Sequence, residues 1–425
     1  MTEFIRAFIN PRRSMQRFGF LKYLMWRASL SSTNNLSTLG KDLIAAVTQK
    51  VSYTLSAQLR EYILTALTDP IYTNLRTIAA KSFEGNLEKP TVQVEIQDIY
   101  LSDSNLSSRR GKLVSDDWNR YPYLALDISL LRKGTYSLLV RGQSFLSLVS
   151  EEEKRAFNRT ELKSLNGTVN PFQLTLPQML ILLFSVIEKD GDVLSILYSK
   201  LLSFKESFSV KDAGNYLPEI YRTIAKNART RAKSGDDLIR IQKLLDTANK
   251  IEAVKQKPFP GGKNPREHAI TVRLEPFVDF GLLFKPDPFA YLYQITDRTK
   301  YFFESIIHSE DIDYFLNHSF FDISNEVFDI KGKHKNNREI IMPAMLKAYN
   351  ILKSPLGYAS ILEVSLLSGI YSIIEKGFYF EIFEAIDTLK AIQKEKPEIV
   401  RFNVDRWGVL TFVKFNNNIT KIFIE

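Results

Sequence analysis

Ile399-Val-Arg-Phe-Asn-Val404, Asp405-Arg-Trp-Gly408, Leu410-Thr-Phe-Val-Lys-Phe415: these three pieces, near one end of the chain, decide its fold. Two runs of alternating apolar and polar residues flank a turn that carries Asp and Gly, the pattern of a β-hairpin. Upstream the period changes. Ile382 to Lys394 sets Ile382, Phe383, Ile386, Leu389 and Ile392 along one stripe, as an amphipathic helix does. A second helix runs through Ile361, Val364, Leu366 and Leu367 and is expected to stop at Gly369. A third, Ile340 to Leu352, ends before Ser354-Pro355 and Gly357. The order is helix, helix, helix, hairpin.

A related ending lies further upstream. Glu267 to Gly281 has helical spacing and leads into Gly-Leu-Leu-Phe284, then Lys285-Pro-Asp-Pro288 and Ala290-Tyr-Leu-Tyr-Gln-Ile-Thr296. A further helix starts at Asp297, with Tyr301, Phe302, Phe303 and Ile306 as its apolar face. Over roughly 175–310 and 339–425 the chain resembles the winged-helix superfamily, whose third helix lies in the DNA major groove while the hairpin touches the backbone or minor groove.

Carried over, that resemblance implies a recognition helix and approach presenting Lys263, Arg266, His268, Thr271 and Arg273, with a wing tip from Lys285 to Phe289. In the second module the wing would offer Arg401, Arg406, Trp407 and Lys414. Its third helix begins with Glu381, Glu384 and Asp387 and turns basic only at Lys390, Lys394 and Lys396. Acidic residues there repel phosphates, so this module either binds through its wing or docks a protein.

The fold class expected is mainly α with α+β portions. An N-terminal helical region (1–90) carries apolar spacing from Leu43 to Leu67. A small α+β region (91–150) is expected to hold strands at Val92–Ile96, Leu124–Leu131 and Tyr136–Val140. A helical domain ending in a winged helix (151–321), a polar linker (322–338) and a C-terminal winged-helix domain (339–425) complete it. Met179 to Ile187 is apolar nearly all round and predicts a buried helix. Gly191 and Gly214 read as turn or cap residues.

Charge is gathered rather than spread. The chain carries a net charge of +9, yet Lys205 to Arg273 alone holds 15 basic and 8 acidic residues, and Met1 to Leu30 six basic and one acidic. Patches of one sign point to a polyanionic partner. Arg222, Lys226, Arg229 and Lys233 share one helical face, with Arg231 beside them, a row suited to neutralising phosphates.

Several function classes are set aside on residue chemistry. There is no Cys, which excludes disulfides and thiolate metal sites and fits a reducing compartment, with the cytoplasm as expected location. His268, His308, His318 and His334 are isolated, and none sits by a nucleophile elbow. The longest apolar runs fall short of the about 18 residues of a membrane span, and no membrane partner is expected. Gly261-Gly262-Lys263 lacks phosphate-loop spacing. Glu95, Asp98 and Asp127, with Lys112 and Lys133, are the residues a Mg-dependent nuclease would use, but in no recognisable spacing. Asp116-Asp117 reads as a loop cap.

The expectation is therefore a non-catalytic protein without cofactors that binds double-stranded DNA. By analogy of architecture it would be a subunit of a prokaryotic DNA-handling complex, whether defence, restriction or regulatory. Other subunits, or a second copy, would be its protein partners. The alternatives are a protein scaffold built on winged helices and, more weakly, a nuclease.

Overall fold

The computed structural model describes residues 4–8, 18–31, 35, 38–39, 42, 123–158, 174–204, 207–253, 265–286, 292–405 and 408–416. The chain runs α1 (Phe20–Ser29), α2 (Tyr123–Asp127), α3 (Val140–Ser147), α4 (Glu151–Asn158), α5 (Leu176–Leu201), β1 (Phe208–Ser209), α6 (Val210–Arg229), α7 (Gly235–Ala253) and α8 (Pro265–Asp279). It continues through β2 (Leu283–Phe284), β3 (Leu292–Ile295), α9 (Asp297–Ile307), α10 (Ile312–His318), α11 (Phe320–Val327) and β4 (Lys333–His334). The last part is α12 (Arg338–Leu352), β5 (Ala359–Ser360), α13 (Ile361–Lys376), β6 (Phe378–Tyr379), α14 (Ile382–Glu395), β7 (Val400–Val404) and β8 (Leu410–Phe415). The described chain is mainly helical, with small sheets.

α5 is the centre of the larger core. Thr175 and Gln178 form a capping box at its start, and the Gln178 amide also donates to the Leu148 carbonyl at 2.9 Å. Leu180 to Ile187 are all buried, so the helix has neighbours on every side, as its unbroken apolar run predicts. Each buried Leu or Ile contributes roughly 1.5–3 kcal/mol of transfer free energy. α5 does not turn at Gly191; it continues to Leu201. A Cβ at Gly191 would lie 2.9 Å from Ile312 of α10, so the glycine permits a close helix crossing. Gly214 plays a similar part inside α6, where Arg266 approaches to 3.3 Å.

Two small sheets have the same strand order. β3 lies between β1 and β2, pairing Phe208 with Tyr293 and Leu283 with Ile295; β8 lies between β5 and β7, pairing Ala359 and Phe402 with Val413. β4 and β6 make a short parallel pair.

The second core gathers α12, α13, α14 and the β5–β8–β7 sheet. α13 serves both cores: Leu366, Ile370 and Ile373 face the larger one, Leu367 and Tyr371 the smaller. Arg141 of α3 crosses to α13, donating to both Glu363 oxygens at 2.7 and 2.8 Å and to Ser185 of α5 at 2.9 Å.

Three expectations are corrected. The stretches 124–131 and 136–140 are not strands: they form α2, a turn, one isolated bridge between Leu131 and Leu138, and the start of α3. The reason lies in spacing, for the buried residues Leu124, Ala125, Ile128, Leu130 and Leu131 include adjacent pairs and a three-residue step, which is not the strict alternation of a half-buried strand. The second helix of the last module continues past Gly369 to Lys376. The stretch 322–338 is not a bare linker, because it carries most of α11, whose Phe321 and Val327 are in the core, and β4. The helix expected at 43–67 and the strand at 92–96 lie outside the described residues.

Candidate nucleic-acid interface

α6 and α7 form a helical hairpin, and its sequence explains its charge. On α6, Val210, Ala213, Gly214, Leu217, Ile220, Tyr221, Ile224, Ala225 and Ala228 are buried; on α7, Ile241, Leu244, Ala248 and Ile251. These recur at three-to-four spacing and hold the hairpin on the body, leaving the opposite faces in water. Ser209 and Asp212 cap the start of α6 reciprocally at 2.8 and 3.1 Å. Ser234 and Asp237 do the same at the start of α7: Asp237 accepts from the Ser234 N–H at 3.0 Å, and Ser234 Oγ accepts from the Asp237 N–H at 3.2 Å.

Between residues 226 and 250 the hairpin presents Lys226, Arg229, Arg231, Lys233, Arg240, Lys243 and Lys250, all exposed. Asp236, Asp237 and Asp246 are the acidic residues of the same span. Asp237 is held below the usual carboxylate range by the backbone N–H of Lys233, with Ser234 and the charge of Arg240 adding to it. Sequence reasoning identified the α6 half of this surface and missed Arg240, Lys243 and Lys250. Their signal was present: Lys243 and Lys250 fall away from the stripe of Ile241, Leu244, Ala248 and Ile251, and Arg240 borders it, on a helix that otherwise reads as merely amphipathic.

Arg222, placed with Lys226, Arg229 and Lys233 in one row, has a different role. Its guanidinium donates to Glu252 at 3.2 Å and to Asn249 at 3.2 Å, with a second, shorter bond to the other Glu252 oxygen. Those hydrogen bonds draw the Glu252 carboxyl below its usual value. Arg266 donates to the Ile251 and Glu252 carbonyls at 3.0 and 3.4 Å, satisfying acceptors near the C-terminal end of α7. Both arginines fasten α7.

The proposed recognition helix of the first module, α8, is a core helix. Ala269 to Phe280 are buried without interruption, so no face of that stretch is open to a DNA groove. Thr271 is 1% exposed and donates to the Glu267 carbonyl at 2.7 Å, and Arg273 is 1% exposed. Burial of a guanidinium demands a partner, and Arg273 has Asp190 of α5. Lys285, expected at a wing tip, lies with its amine 2.9 Å from Glu275, which also accepts from the Tyr293 hydroxyl at 2.5 Å. These three residues are corrected from DNA contacts to internal structure. Lys263 and the side chain of His268 lie outside the described residues.

In the last module the acidic start of α14 faces its own chain. Glu381 accepts the Phe321 and Asp322 backbone N–H groups at 3.1 and 2.7 Å, closing the N-terminal turn of α11. Burial pushes its carboxyl up to about 8, against the pull of those two bonds. Glu384 meets His334 at 3.0 Å and the Asn336 amide at 3.1 Å, and His318 stacks on Phe383 at 4.1 Å. Only later residues of α14, among them Asp387, Lys390 and Lys394, stand exposed, with Lys390 bonded to Asp387 at 2.8 Å.

Arg401 is exposed but lies at the end of the β7–β8 ladder away from the turn, opposite Lys414. Arg406 and Trp407 fall outside the described residues. Of the nuclease candidates, Asp127 closes α2 and Lys133 is in the following turn, both exposed, while Glu95, Asp98 and Lys112 fall outside. Among the described residues no group of three or more His, Asp or Glu is placed to hold a metal ion, and no helix is long and apolar enough to cross a membrane. No family model, curated protein or solved structure matches the chain.

Proposed function

We propose that this protein binds double-stranded DNA without catalysing a reaction on it, and that the α6–α7 hairpin takes the phosphates. The observation that carries the proposal is the set of seven exposed Lys and Arg between residues 226 and 250, against three Asp. Contacts of this kind give affinity that falls with salt and carry no base readout.

Both parts of the chain that resemble winged helices support the reading through element order. α12, β5, α13, α14, β7, β8, with β8 central in the sheet and the short β6 between α13 and α14, is compatible with a winged-helix order, and α5 to β3 runs in a similar order with α7 added. With α8 buried and the start of α14 docked on α11, neither third helix is free to enter a groove along its length. The protein is then a backbone binder that needs a partner, or DNA shape, for site choice. A place as one subunit of a prokaryotic DNA-handling complex, in the cytoplasm, is consistent with that.

A second reading, a protein-docking scaffold, is favoured by one feature. Val404, Val409 and Phe412 of the C-terminal hairpin are 58%, 45% and 44% exposed. Such a strip suits a protein surface better than phosphates. Charge reversal separates the two: Lys226→Glu with Arg229→Glu and Lys243→Glu should abolish binding to a labelled duplex. A scaffold would show no duplex binding to abolish.

A further inference from the structure

Arg401 and Lys414 stand directly opposite each other in the β7–β8 ladder. Like charges in that position destabilise an antiparallel pair. The neighbouring pairs, Val400 with Phe415 and Phe402 with Val413, turn toward the core, so Arg401 and Lys414 project from the outer sheet face. That face forms the floor of a groove of about 840 Å³, walled by the end of α12 and the loop before β5. The size is that of a small-molecule site.

A third cation, Lys353, lines the same groove, and among the described residues Glu398 is its one acidic side chain. Lys414 is held rather than loose: its amine donates to the Leu356 carbonyl at 3.1 Å and lies 5.1 Å from the Tyr358 ring centre. Lys353 donates to Asn350 at 2.9 Å. The Tyr349 hydroxyl donates to the Gly357 carbonyl at 2.6 Å, fixing the wall loop against α12. Gly357 itself has φ +79° and Lys414 passes close by, with Cε 3.2 Å from where a Cβ would sit.

Three cations brought round one concave, structured wall, two of them opposite each other in the ladder, outnumber the Glu398 carboxylate that shares it. We propose that this groove binds a phosphate group, with Arg401 as a two-pronged donor and Lys414 and Lys353 as point charges. The phosphate belongs either to a free phosphorylated small molecule or to a nucleic-acid backbone. The site is separate from the α6–α7 hairpin and does not depend on it.

The test uses the full chain at low ionic strength with two probes, inorganic pyrophosphate and a labelled duplex. It compares wild type with Arg401→Gln/Lys414→Gln and with Lys226→Glu/Arg229→Glu. Pyrophosphate binding should appear in wild type and in the hairpin variant alike, and weaken tenfold or more in the groove variant. If pyrophosphate fails to bind but the groove variant weakens duplex binding tenfold, the phosphate is one of a nucleic-acid strand. Removing the like-charge pair should leave the melting temperature equal or higher. If the groove variant does not fold, Lys353→Gln, on the opposite wall, takes its place. A groove variant with wild-type affinity for both probes overturns the proposal, even where the hairpin variant has lost the duplex. Loss of duplex binding through the groove alone would leave this site standing and the hairpin reading refuted.

Discussion

The guanidinium of Arg273 grips the carboxylate of Asp190 through two nitrogens, at 2.6 and 3.0 Å, with both side chains shut away from water. The same guanidinium donates to the Phe8 carbonyl at 3.0 Å, while Asp190 accepts the Phe8 N–H at 2.8 Å. One ion pair thus ties the N-terminal segment to α5 and α8. Removing one partner of such a pair leaves a buried charge uncompensated, at a cost of roughly 3–5 kcal/mol. Arg273→Ala should therefore lower the urea midpoint sharply, while the protein that stays folded keeps its duplex affinity. A midpoint within error of wild type would contradict the structural role.

Gly369 sits in the middle of α13, and a Cβ there would fall 2.5 Å from the Phe321 ring. Phe321 is fully buried and belongs to the larger core, so the ring has little room to give way. Gly369→Ala should destabilise by about 1–3 kcal/mol through overpacking, although alanine is the better helix former. Denaturant titration of G369A checks this. A stabilised variant would mean that α13 can draw back from α11.

Glu381 yields a pH dependence whose sign can be worked out. Its folded carboxyl is raised to about 8, above an unfolded value near 4.5. From about pH 4.5 to 8 the folded state holds the extra proton, so stability falls as pH rises through that window. The slope from this group is at most ~1.4 kcal/mol per pH unit. Glu381→Gln removes it. The melting temperature of E381Q relative to wild type should climb from pH 5 to 8, and a flat difference would reject the assignment.

Arg222 and Lys226 are both on α6, yet only Lys226 should matter for DNA. Arg222 is bonded to Glu252 and Asn249, whereas Lys226 and Arg229 are exposed. Arg222→Ala should leave duplex affinity within about twofold and mainly loosen α7; Lys226→Ala should weaken it at low salt. Loss of about one charge contact reduces the log–log salt slope by about 0.9. Equal effects of the two substitutions would show that the row acts as one surface after all.

How much of this was legible in the sequence depends on which residues do more than one thing. The hairpin of β7 and β8 and the helix α9 starting at Asp297 follow from period and turn chemistry, and both are present. Apolar spacing also located the buried α5, because a helix apolar all round has nowhere to go but inside. Glycine was misread at 191, 214 and 369, where it serves close helix contact inside a helix rather than ending one. Arginine was misread at 273 for a similar reason: a lone basic residue in an apolar stretch gives no sign of the Asp190 that waits 83 positions away. The acids at the start of α14 looked like a defect in a DNA-reading helix; the partners of Glu381, the N–H groups of Phe321 and Asp322, lie about 60 residues upstream, and those of Glu384 are His334 and Asn336. Exposure of Lys226 and Arg229 was readable from helical spacing alone, whereas Arg222 of the same row has partners on α7 that the sequence did not announce.

The most direct measurement is fluorescence anisotropy of the purified protein with a labelled duplex across a salt series. Several phosphate contacts from the α6–α7 hairpin should give a log–log slope of about −4 or steeper, relaxing toward zero when Lys226, Arg229 and Lys243 are reversed. No binding at the lowest salt, or a slope that those reversals leave unchanged, would contradict the claim that this hairpin holds DNA.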